Sequence, residues 1–114
     1  MNDAIDNLIT LQDYFAGVVA RSEHHAPNID EVVYALLGMI ILFHNKDKKI
    51  SVLTVDGETK NVLWFFKGDR RIALSYSHAT GSIEMREGST QGNVIYSLNN
   101  TTAVTALKNT FESL

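Results

Sequence analysis

The sequence predicts an α+β fold: two N-terminal helices, a five-stranded antiparallel meander sheet and a C-terminal helix packed on one sheet face. Three observations carry this. Apolar residues recur at helical spacing up to Phe43, the period drops to two after Lys49, and hairpin-length turns separate the alternating runs. With 114 residues, near the modal size of one domain, residues 1–114 are expected to form a single domain around one core.

The first helix is expected from Asn2 to about Arg21. Ile5, Leu8, Ile9, Leu11, Phe15, Val18 and Val19 form its apolar face, with Asp6, Asn7, Gln12 and Asp13 between them. Asn2 or Asp3 can cap it, and its early acids complement the helix dipole. The stretch Arg21–Pro27 breaks the period and ends the helix. Helices joined by a short connection pack antiparallel, so this apolar face is expected to cover one side of the next element.

That element is VVYALLGMIILF, Val32 to Phe43, an unbroken run of apolar or small residues. It is shorter than the roughly 18 residues of a membrane span and is flanked by Asp30-Glu31 and by Asn45-Lys46-Asp47-Lys48-Lys49. Asn28 followed by Glu31 forms an N-cap and partial capping box just after Pro27. Gly38, which costs about 1 kcal/mol in a helix interior, leaves two readings open. Either the helix continues to Phe43, as its start signal favours, or it ends at Leu37 and Met39–Phe43 is a strand. In both cases a run apolar all round is expected to be covered on nearly all sides.

From Lys49 the pattern is that of strands. Ile50–Val55, Asn61–Phe66, Arg71–Ser77, Ser82–Arg86 and Asn93–Leu98 are separated by Asp56-Gly57, Lys67-Gly68-Asp69-Arg70, Thr80-Gly81 and the polar loop Glu87–Gly92. Ile72, Leu74 and Tyr76 share one face, as do Ile83 and Met85, and Val94, Tyr96 and Leu98. Tyr76 and Tyr96 are expected in the core with their hydroxyls bonded. Asn99 or Asn100 and the threonines that follow can cap a last helix, Ala103–Leu114, with Val104, Leu107 and Phe111 as its stripe. Because the first two strands are apolar on both faces, apolar surface is expected on the far side of the sheet, and with it a homodimer.

Composition narrows the functional classes. No cysteine is present, which excludes disulfides, thiol nucleophiles and thiolate metal sites. The acidic N-terminus lacks a signal-peptide pattern, so a cytoplasmic protein without membrane contact is expected. A net charge of −3 makes nucleic-acid binding improbable. The charge is unevenly spread, however. Residues 1–43 carry Asp3, Asp6, Asp13, Glu23, Asp30 and Glu31 against Arg21 alone, and residues 44–71 carry an excess of lysine and arginine.

An up-and-down sheet places alternate turns at the same end. Lys46, Lys48, Lys49, Lys67, Arg70 and Arg71 are therefore expected to gather beyond the second helix. They form either a self-neutralised rim with Asp47 and Asp69, or a surface for an acidic protein or small anionic ligand. The opposite end collects His24, His25 and His78 near Asp30, Glu31, Asp56 and Glu58. Two imidazoles and a carboxylate can bind zinc, and His78 beside a carboxylate is the candidate acid–base group. No HExxH spacing supports a metal, and no nucleophile elbow frames Ser75 or Ser77. Trp64, with Phe65 and Phe66, is expected in the core, with a ligand wall or base-stacking platform as its other reading. No cofactor is implied. The function expected is a non-enzymatic interaction or regulatory module, a small accessory protein that self-associates. The competing expectation is a small-ligand-binding protein or enzyme with a pocket between the sheet aromatics and the helices.

Overall fold

The computed structural model describes residues 3–114, with the side chains of Asp3, Glu23, His24, Glu58, Thr59 and Lys60 outside that description. The chain runs α1 (Asp3–His25), α2 (Val32–Phe43), β1 (Ser51–Val55), β2 (Glu58–Lys67), β3 (Arg70–Ser77), β4 (Ser82–Glu87), β5 (Val94–Leu98) and α3 (Val104–Ser113). The five strands form one sheet in chain order, every neighbouring pair antiparallel. This is the predicted α+β meander with its flanking helices. Met39–Phe43 is helical, which settles the ambiguity raised by Gly38.

Register decides which side chains meet. Leu63 lies opposite Leu74, Leu74 opposite Met85, and Phe65 opposite Ile72. All of them point to the face that receives Leu11, Phe15, Val33, Leu36, Ile40, Leu107 and Phe111 from the helices. Phe111 of α3 stacks on Phe65 at 5.8 Å between ring centroids and touches Phe43 of α2 at 5.9 Å. Phe65 is thus in the core as expected, whereas Trp64 and Phe66 lie half-buried on the far face. Arg71 sits over the Trp64 ring at 5.0 Å and Lys48 over Phe66 at 5.5 Å, so cations cover these two rings, while Leu53 and Val55 of β1 stay exposed.

Several expectations are corrected. Helix α1 runs to His25, because the period continues inward through Tyr14, Val18, Arg21 and His25 and only Pro27 stops it. Its buried stripe is Asn7, Leu11, Tyr14, Phe15 and Ser22, which leaves Ile5, Leu8 and Ile9 in solvent. The expected apolar face was therefore rotated from the true one. Helix α2 starts at Val32 without a cap from Asn28. It is not covered on nearly all sides either: Val33, Leu36 and Ile40 are buried, but Tyr34 is 61% and Leu42 74% exposed. At β5 a register shift after Met85 sets Val94 opposite Arg86, on the outer face, away from Tyr96 and Leu98. Tyr76 and Tyr96 are half-buried, and neither hydroxyl has a hydrogen-bond partner among the described residues. Val104 is exposed, so the buried stripe of α3 is Leu107 and Phe111.

The cap of α2 comes from the far end of the chain. Asn100 Oδ1 accepts the N–H groups of Glu31 (3.0 Å) and Val32 (2.9 Å), while its Nδ2 donates to the Pro27 carbonyl (3.0 Å) and to Asp30 Oδ1 (2.9 Å). Asn100 is therefore spent on α2 and does not cap α3, whose N-terminus has no side-chain cap.

Candidate functional site

The basic residues do gather at one end. Asn45 donates its backbone N–H to the Phe66 carbonyl and its Nδ2 to the Gly68 carbonyl, which ties the loop after α2 to the β2–β3 turn. The Gly88 N–H donates to the Arg71 carbonyl and brings in the β4–β5 loop. Most of these cations are already engaged. Arg70 forms a fork on Glu87 at 2.6–3.1 Å, and this hydrogen bonding, then its charge, holds the Glu87 carboxyl below its ordinary pKa. Arg71 bonds the Gly88 carbonyl and lies on Trp64, Lys67 bonds the Glu112 carbonyl, and Lys48 lies 3.9 Å from Asp69. Lys46 and Lys49 are exposed with no partner among the described residues.

The opposite end encloses a cavity of about 50 Å³ between α1, the α1–α2 connection and β3–β4. That is room for a few water-sized groups. Its walls are Phe15, Val18, Leu36, Leu74 and Ile83, and its polar margin is Arg21, His25, Asn61, Tyr76 and His78. His25 and His78 thus line the same space, as the topology predicted, and the His78 ring stands edge-on to Tyr76 at 4.8 Å. His24 and Glu58, named with them, are among the side chains outside the description. Asp30 is held by Asn100, Glu31 and Asp56 are exposed, and among the described residues no three His, Asp or Glu side chains are grouped to hold a metal.

Two residues of this cavity, Arg21 and Tyr14, and Gly17 beside Arg21 escaped the sequence reading. Arg21 was assigned to a helix-breaking stretch, yet its guanidinium donates to Asn61 Oδ1 and anchors the end of α1 to β2. Gly17 makes room for it, since a Cβ there would stand 2.9 Å from Arg21 Nη1. Tyr14 is buried in the cavity wall, and burial raises its hydroxyl pKa well above 10, against a smaller downward pull from the Arg21 charge. The available signal was the spacing Tyr14, Val18, Arg21, His25, which keeps all four on one side of α1.

A second feature is the outer face of α2. Tyr34, Gly38, Ile41 and Leu42 recur at i, i+4, i+7 and i+8, all exposed. Nothing lies within 4 Å of where a Gly38 Cβ would be. Asn7 donates to the Lys48 carbonyl and accepts from the Ile50 N–H, which places the start of α1 beside the loop that follows α2. Leu8 and Ile9 of the same first turns of α1 are each about half exposed.

No helix among the described residues is long and apolar enough to cross a membrane. Comparison with curated proteins finds no match. Residues 11–108 match the family model described as integron cassette protein VCH_CASS1 chain, a span from the middle of α1 into α3 that includes both the cavity and the whole of α2. The chain therefore belongs to the integron cassette protein VCH_CASS1 chain family.

Proposed function

We propose that this protein is a non-enzymatic interaction module that acts as a homodimer, joined through the outer face of α2. The observation that supports this is the exposed stripe Tyr34, Gly38, Ile41 and Leu42. It leaves on the order of 300 Å² of apolar side chain in water, within the range of the largest patch of a monomer. With a polar rim around it, such a patch serves as the apolar centre of an interface of roughly 800 Å² per partner.

A second copy fits this face because the face is self-complementary about Gly38. An antiparallel α2 pair crossing at Gly38 sets Tyr34 against the partner's Leu42, and Leu42 against the partner's Tyr34. The missing side chain at Gly38 lets the two helices approach closely at the crossing. The same axis brings the exposed Glu31 ahead of one α2 near the exposed Lys46 beyond the other, twice by symmetry. In this reading the basic rim serves self-association, and the acidic protein partner is another copy of the chain.

The test is the mass in solution by light scattering. The native chain is expected at twice 12.7 kDa, and Leu42→Glu at the monomer mass with an unchanged far-ultraviolet spectrum. A native monomer, or a dimer indifferent to Leu42→Glu, overturns the proposal.

A further inference from the structure

We propose that the cavity between α1 and the sheet binds a small carboxylic acid as its anion, with an apolar body in the cavity and its carboxylate at Arg21. The walls are apolar, so the part of a ligand that enters gains by leaving water. The margin is one-signed. Arg21 is a permanent cation, His25 and His78 are the other ionisable groups beside the tyrosines, and no described Asp or Glu lines the space. A neutral or cationic ligand would leave the guanidinium without a counter-charge in a partly desolvated position. A carboxylate supplies it, and matches the fork geometry that a guanidinium offers.

Arg21 is held for this role. It spends one N–H on Asn61 Oδ1, out of the five that a guanidinium carries, and no other bond from it is made among the described residues. Its position half out of solvent strengthens the charge relative to an exposed arginine. The absence of a Cβ at Gly17 lets the guanidinium lie against α1. The small cavity limits the buried body to a short aliphatic chain of a few carbons, with the remainder lying across Tyr76 and His78. This site is separate from the α2 face and does not depend on self-association.

The experiment is a titration of the ¹⁵N-labelled full chain with butyrate and hexanoate, each compared with its neutral amide, followed by amide shifts. Saturable shifts confined to residues around Arg21, Asn61, Tyr76 and His78 are expected, with at least tenfold weaker binding of the amides. Arg21→Gln, which keeps a donor for Asn61 and removes the charge, is expected to lose at least tenfold in affinity for the acids alone. Where that variant does not fold, the acid–amide comparison on the native chain decides. Equal binding of acid and amide, shifts centred on Lys46 and Lys49, or no saturable shift with either acid overturns the proposal.

Discussion

Asn7 and Asn100 each close backbone groups that no ladder reaches. Asn7 is 1% exposed and bridges the Lys48 carbonyl and the Ile50 N–H, so the polar atoms at the start of β1 are satisfied from α1. Asn100 does the same for the first turn of α2. Their partners lie some forty and seventy residues away, so no local spacing announces either role. That is why Asn100 read as a cap for the nearest helix and Asn7 as a surface residue. Tyr14 carries a testable consequence of burial. Below pH 10 folded and unfolded chains both keep its proton; above pH 10 the unfolded chain releases it first, so stability falls as pH rises. Between pH 10 and 11, denaturant titration is expected to show the native chain losing up to about 1.4 kcal/mol more than Tyr14→Phe, with no such difference below pH 9. Arg21 was legible only as a charge. Its place in the cavity depends on α1 continuing past it, which local composition around Glu23, His24 and Pro27 argued against.

Helix α2 shows how far a composition-based reading reaches. Its start was legible as helical from the signals ahead of Val32, and a run of twelve apolar or small residues bounded by charges is too short for a bilayer, but Gly38 left its end open between Leu37 and Phe43. Its burial was not legible. A core helix and a helix that hides one face in its own core and another in a partner have the same composition, and only the three-dimensional packing separates them. Gly38 makes the distinction measurable, since it faces empty space in the single chain. Gly38→Ala is expected to raise the stability of the dilute monomer by up to about 1 kcal/mol through helix propensity, because nothing obstructs the added methyl. The same change is expected to weaken dimerisation by about tenfold or more, by holding the two helices apart where they cross. Chemical denaturation and sedimentation equilibrium on one preparation read both effects. A helix whose glycine served no contact would gain in the first and be unchanged in the second.

Over the whole molecule the meander was the most legible part. The last three strands alternate, each turn carries a glycine where the chain reverses, and Asp56-Gly57 adopts the positive φ pair expected of a tight hairpin. Strand order then grouped the lysines and arginines at one end and His25 with His78 at the other without any coordinate. The arrangement sets an acid, Glu31, before α2 and a base, Lys46, after it, and these ends oppose each other in an antiparallel pair. Lys46→Glu and Glu31→Lys are each expected to weaken the homodimer, whereas an equimolar mixture is expected to assemble as a heterodimer in native mass spectra, since every pair across the axis is then opposite in sign. Equal homodimer and heterodimer populations would remove the charge-pairing argument. The Asn100 cap bears on how the chain comes into being. A ribosome delivers α1 and α2 first, but until it has delivered β5 and the turn beyond, the N–H groups of Glu31 and Val32 have no asparagine to meet. Any product that stops between Phe43 and residue 100, through a frameshift or a truncated reading frame, keeps the complete apolar sequence of α2 while lacking the residue that seats it. Such a fragment presents to quality control an oily helix with an open end, and only a product that reaches Asn100 is sealed.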